Sequence, residues 1–233
     1  MLPDHSTSIA ELRTSLRRLE QTSRFAAQEK ERVSTGVPAL DAILPDHGLL
    51  RGTLSEWIGS EAGSGALSLA MRVAGQTQHD GAKSRALIIV DRNRRLYPPA
   101  FPATGVQLEH TILVRPTSHA DELWALEQSL RCPGVGAVLC RIDHLKTQQF
   151  RRLQLAAESG TAIGLLIRSA TACKQSGWAD VRLLVTARPT DADLSPFHRR
   201  LEVRCLYAKG SLGDQTVELE LCDETGVPRE RSA

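Results

Sequence analysis

Residues 59–70 read GSEAGSGALSLA, and the reading of this stretch decides the fold. An apolar, strand-like run, Leu54 to Ile58, precedes it, and a small, apolar, helix-like run follows. Strand, glycine-rich turn and helix are the surroundings of a phosphate-binding loop, whose pattern is GxxxxGK[ST]. In such a loop backbone N–H groups cradle the phosphates, the lysine reaches the terminal ones, and the hydroxyl holds magnesium. Counted from Gly59, the second glycine position holds Ser64, the lysine position Gly65 and the hydroxyl position Ala66. Counted so that Gly65 is the second glycine, the lysine position holds Ala66 and the hydroxyl position Leu67. Neither register supplies a lysine or a hydroxyl. The nearest hydroxyl beyond is Ser68.

Outward from this loop, apolar runs and helical periodicities alternate. ALIIVD (86–91), TILVRP (111–116), VGAVLC (135–140), AIGLLIRS (162–169) and VRLLVTARP (181–189) read as buried parallel strands. Between them, ADELWALEQSLR (120–131) and FRRLQLAAES (150–159) carry apolar residues at helical spacing. Alternation of this kind predicts an α/β fold with a mostly parallel central sheet flanked by helices. The end of the chain differs. LEVRCLY (201–207) and TVELEL (216–221) each alternate apolar and polar residues, which predicts a C-terminal antiparallel hairpin with one wet face at the sheet's edge.

At the other end, Ile9, Leu12, Leu16 and Leu19 recur three or four apart, one apolar stripe on a separate N-terminal helix. It packs on its own domain or docks on a partner. The expected organisation is a helix and linker over 1–32, a core over 33–223 and a polar tail over 224–233. The 233 residues are 41% hydrophobic with a formal net charge of +2, so composition neither demands nor excludes a nucleic-acid partner. The five cysteines form no CxxC pair, which favours buried free thiols in a reducing compartment over disulfides or zinc. With no signal core and no membrane-length apolar run, a cytoplasmic protein without membrane contact is expected. The seven histidines show no metal-ligand spacing, and no Ser-His-Asp arrangement stands out.

VSTGVPALDAILPDHGLLRGTLSEWIG (33–59), followed by IIVD, VGAVLC and GLLIRS, resembles the RecA-type ATPase core. More narrowly, DRNRRLYPPA (91–100), VRPTSHADELWALEQSLRCPGVGAV (114–138), FRRLQLAAESG (150–160) and WADVRLLV (178–185) are similar to the ImuA family of RecA-like proteins. The resemblance implies a RecA-like P-loop core and a role in damage-induced mutagenesis and translesion DNA synthesis. It implies work beside an inactive Y-family polymerase-like partner of the ImuB kind and an error-prone C-family polymerase, with RecA itself as a further candidate. Some relatives carry a SulA-type cell-division-inhibitor label, a weaker alternative.

Two further positions bear on catalysis. RecA-type ATPases place a water-orienting glutamate just after the second strand, where this chain has Asn93. They end a later strand on a metal-supporting carboxylate, where VGAVLC is followed by Arg141, with Asp143 two residues on. An amide cannot act as a base, and a guanidinium opposes a metal ion. The expectation is therefore a degenerate phosphate loop (Gly59, Glu61, Gly63, Ser64, Gly65), no ATP or Mg²⁺ cofactor, and no catalysis. The rival is a recombinase-like ATPase taking a lysine from elsewhere, such as Lys83 or Lys146. A third reading is a single-strand DNA binder. Candidate partner or DNA contacts are the N-terminal stripe, Arg92, Arg94 and Arg95 after a strand end, Arg151 and Arg152 on a helix, and Lys174 in SATACKQSG (169–177), where RecA-type proteins carry a DNA-contacting loop. Trp57, Trp124 and Trp178 are expected as core or interface anchors.

Overall fold

A computed structural model describes residues 31–80, 83–189, 198–210, 214–222 and 228–230. The N-terminal stripe of Ile9, Leu12, Leu16 and Leu19 lies outside the described residues, as does the expected helix that carries it. The described residues from Arg32 onward form one compact unit.

The chain enters through β1 (Arg32–Val33), α1 (Pro38–Ala42) and β2 (Leu49–Leu50), with β1 and β2 paired antiparallel. Asp41 shapes this entry. Its carboxylate accepts from Ser34 Oγ at 2.6 Å and from the Thr35 amide at 2.8 Å, closing the turn over the start of α1. Pro38 stands at the first helical position, where its missing N–H costs nothing.

Then come β3 (Leu54–Gly59), α2 (Ala66–Gln78) and the short pair β4 (His79–Asp80) and β5 (Lys83–Ser84). The order continues with β6 (Ala86–Val90), β7 (Thr111–Val114), α3 (His119–Arg131), β8 (Val135–Arg141), α4 (Thr147–Ser159), β9 (Ile163–Ser169) and β10 (Val181–Arg188). Last are β11 (His198–Ala208), β12 (Thr216–Cys222) and β13 (Pro228–Glu230). One nine-stranded sheet has the order β13-β12-β11-β10-β3-β9-β8-β6-β7. The six strands from β10 to β7 pair in parallel, and β11 to β13 add antiparallel strands beyond β10.

The parallel strands read as unbroken apolar runs because both faces are covered. On one face Trp57, Leu87, Ile89, Leu139, Leu165 and Leu183 pack with Leu69 and Val73 of α2. On the other, Leu54, Ile88, Val90 and Val138 pack with Leu126 and Leu130 of α3 and with Phe150 and Leu153 of α4. Strand neighbours point to opposite faces, so Ile88 and Ile89 serve different layers. Among the described residues no helix is long and apolar enough to cross a membrane.

Three local expectations need correction. TILV is not a buried strand. It forms the sheet edge, where α3 lies over β6 and β8, and Ile112 is left 55% exposed. The C-terminal hairpin is not outermost, since residues 228–230 pair with β12. Cys140 and Cys205 are buried free thiols, but Cys132 and Cys173 are exposed.

Candidate functional site

The glycine-rich loop joins β3, a central strand, to α2. Gly65 immediately precedes the helix, so the register with Ala66 at the lysine position and Leu67 at the hydroxyl position is the one that applies. Gly65 has φ +89, and a Cβ there would meet Leu201 Cδ1 at 2.6 Å. The turn therefore needs glycine for its backbone angle and for the close approach of β11. Gly59 is constrained by contact alone: a Cβ would come within 2.6 Å of Ser64 Oγ.

Three backbone hydrogen bonds hold the loop: Ser60 N–H to Val185 O (3.0 Å), Ser64 N–H to Glu61 O (3.3 Å) and Leu69 N–H to Gly65 O (3.0 Å). No acceptor among the described residues takes the N–H groups of Gly65, Ala66, Leu67 and Ser68. They form the open first turn of a 13-residue helix, whose dipole adds partial positive charge. An open pocket of about 390 Å³ lies over them, walled by the loop, the end of β9, Arg141 at the end of β8, and Arg199 of β11. Arg199 donates to Gly63 O at 3.3 Å. Arg141 is exposed and makes no hydrogen bond or ion pair with any described residue. Glu61 is the acidic side chain on the rim.

At the end of β6, Asp91 is buried and turned inward, accepting from the amides of Arg95 and Leu96 at 3.0 Å each. Asn93 stands exposed in the turn that this makes. The expected basic cluster is thus divided. Arg94, at φ +52, and Arg95 are exposed, but Arg92 Nε donates to the buried carboxylate of Glu122 at 3.0 Å. Glu122 Oε2 is also 3.0 Å from His119 Nδ1, and its other oxygen lies 3.9 Å from Cys140 Sγ. Burial, then the Glu122 and Asp91 carboxylates, push the Cys140 thiol well above its ordinary value. That thiol is held neutral, so it is no nucleophile.

Beneath the segment after β9 lies a charged group that the sequence reading missed. Glu56 of β3, 1% exposed, binds Arg168 of β9 through Oε1 and Arg182 of β10 through Oε2, the latter at 2.5 Å. The two guanidiniums reach on to the following loop. Arg168 donates to Gln175 Oε1 at 2.6 Å and Asp143 O at 3.1 Å, and Arg182 to Ala172 O at 2.7 Å. Asp143, two residues beyond Arg141, accepts from the Ser169 amide at 2.8 Å. A glutamate inside TLSEWIG was the available signal, because a charge in a buried strand must be paired.

The same loop carries Lys174, exposed, and leads to Trp178, 44% exposed, with the Arg151 guanidinium 5.0 Å over its ring. Arg151 also donates to Gln154, and Arg152 pairs with Glu127 at 2.6 Å. Trp57 is core, whereas Trp124 is 65% exposed on α3. Among the described residues no His, Cys, Asp and Glu group could hold a metal ion.

No family model matches the chain, and no curated protein matches it by sequence. Among solved structures, the crystal structure of the RadB recombinase is similar with a TM-score of 0.66 and 14% identity, covering 86% of this chain and 100% of that one. The likeness is one of fold: the chain has a RecA-like core, a mostly parallel sheet between helices with a C-terminal antiparallel hairpin.

Proposed function

We propose that this chain is a non-catalytic RecA-like accessory protein of DNA damage tolerance, of the ImuA kind, and that it acts by protein contact. The observation that carries the non-catalytic reading is the set of residues at the start of α2, at the end of β8 and after β6. Ala66 begins the helix where a lysine would stand, Arg141 ends β8 where a carboxylate would support a metal, and Asn93 stands after β6 where a base would stand. Phosphoryl transfer rests on positioning and charge stabilisation, and each of these losses removes part of it. The residues do not fit Mg²⁺-ATP.

The similar solved structure is that of a recombinase, which suits a setting in DNA repair. The partners we propose are an inactive Y-family polymerase-like protein and an error-prone C-family polymerase. Exposed Trp124, and exposed Trp178 with the Arg151 guanidinium over its ring, are residue types that dominate interface energetics. The test is a pull-down from damage-treated cells with the full chain and with a Trp124→Ala/Trp178→Ala variant. Polymerase-like partners are expected with the former and reduced with the latter. If they never appear, the accessory role fails.

A further inference from the structure

Where β6 and β7 end, burial sorts the charges by sign. The two strands run parallel with Val90 beside Val114, so the residues that follow them, Asp91 and Arg115, are neighbours, and the Asp91 amide donates to Val114 O at 2.9 Å. Both carboxylates of this corner are buried and engaged. Asp91 accepts from the Arg95 and Leu96 amides, and Glu122 takes Arg92 and His119. Arg94, Arg95 and Arg115 are left exposed, and none of their guanidiniums makes a hydrogen bond or ion pair with a described residue. The turn that carries two of them is fixed. The Asp91 carboxylate and the Arg92–Glu122 pair hold it, and Pro98 and Pro99 follow. Arg94 is kept in the left-handed region at φ +52, a conformation that persists where the surroundings enforce it. Tyr97, 70% exposed, stands at the end of the turn. Three like charges gathered at one corner repel one another, and an anionic partner relieves that repulsion.

We infer that this corner is a docking site for a short acidic segment of a partner protein, whose carboxylates pair with Arg94, Arg95 and Arg115 while an apolar side chain lies on Tyr97. The inference rests on the protein-contact reading above and names the chemistry of the partner. A guanidinium meets a carboxylate in a planar, two-pronged fit, and Arg and Tyr are the side chains that anchor protein interfaces. A turn already fixed in place loses little freedom on binding. Nucleic acid is the other polyanion to weigh. A single strand is held by successive aromatic platforms along a basic groove, whereas residues 91–97 and 111–117 offer Tyr97 alone. A nucleic-acid-binding domain also carries a marked basic surplus, and the formal net charge of this chain is +2. The positive charge here is a local feature, sized for a short peptide.

The test is fluorescence anisotropy of the full chain with short labelled probes: a peptide of aspartates around one leucine, the same peptide with asparagine for each aspartate, and single-stranded oligothymidylate. The acidic peptide is expected to bind, the asparagine peptide not, and added salt to weaken binding, because exposed charges are screened. Arg94→Gln/Arg95→Gln/Arg115→Gln alters exposed guanidiniums that pair with no described residue, so its melting temperature should match the parent's. It is expected to weaken acidic-peptide binding about tenfold or more, the combined effect of three exposed ion pairs. Tyr97→Ala should weaken it less and leave the salt dependence intact. If the triple variant melts lower, Arg94→Gly, which the left-handed turn favours, gives the reading on its own: weaker acidic-peptide binding supports the inference and unchanged binding overturns it. No binding of the acidic peptide, equal binding of the asparagine peptide, or indifference to the triple variant also overturns it. Tighter binding of the oligonucleotide, lost in the same variant, would make the corner a nucleic-acid site and overturn it too. Those results leave the accessory role standing, which fails by its own pull-down.

Discussion

Glu56→Gln is the most demanding perturbation of the fold. The carboxylate holds Arg168, whose side chain is 2% exposed, and Arg182, whose side chain is 14% exposed. Replacing it with a neutral amide leaves two guanidiniums with backbone and amide acceptors but no counter-charge. Arg168 keeps Asp143 O and Gln175, and Arg182 keeps Ala172 O. Breaking a buried pair by removing one partner costs about 3–5 kcal/mol. Arg182 reaches solvent and adds little, so about 4 kcal/mol is expected, most of it from Arg168. At about 2–4 °C per kcal/mol for a chain of this size, Tm falls by roughly 8–16 °C. Hydrogen exchange locates the loss: amides over 170–178 should exchange faster, because the acceptors on Ala172 and Gln175 are what the two arginines hold. Adding Arg168→Met to Glu56→Gln should recover part of the stability by removing the stranded charge. A Glu56→Gln chain that melts within a degree or two of the parent, with 170–178 equally protected, would refute the reasoning.

Other outcomes follow from single sites. Gly65→Ala forces a β-carbon into a left-handed turn and against Leu201, so it should cost about 1–3 kcal/mol in denaturant unfolding, partly relieved by Leu201→Ala. Burial raises the Cys140 and Cys205 thiols, so in the folded chain they stay neutral. Their contribution to stability is full below the unfolded thiol value of about 8.5 and is lost as pH rises past it, and Cys140→Ala should flatten that alkaline slope in pH-dependent melts. Ala66→Lys with Leu67→Thr restores the loop's missing groups but leaves Arg141 and Asn93, so a phosphate-release assay should still show no turnover.

The parallel core was legible because its strands are buried on both faces, which turns ALIIVD, VGAVLC and GLLIRS into unbroken apolar runs. That same signal misread TILV, since an edge strand of equal apolarity differs only in what covers it, and here α3 covers its neighbours. The Glu56, Arg168 and Arg182 group was hidden because Glu56 lies more than a hundred residues from both arginines and meets them only through the order β9-β3-β10. At the pocket, the sequence showed which groups were missing but left two registers open. The choice depended on where α2 begins, a backbone fact set by Gly65 at φ +89. The inward turn of Asp91, which leaves Asn93 outside, was likewise invisible, because nothing in DRNRR shows that the aspartate caps its own loop.

The central claim is that this RecA-like core performs no phosphoryl transfer. Phosphate release from ATP by the full chain, with Mg²⁺ and single-stranded DNA present, tests it most directly. The account predicts a rate indistinguishable from buffer. Sustained release that copurifies with the chain and disappears on substituting Arg141 would contradict it.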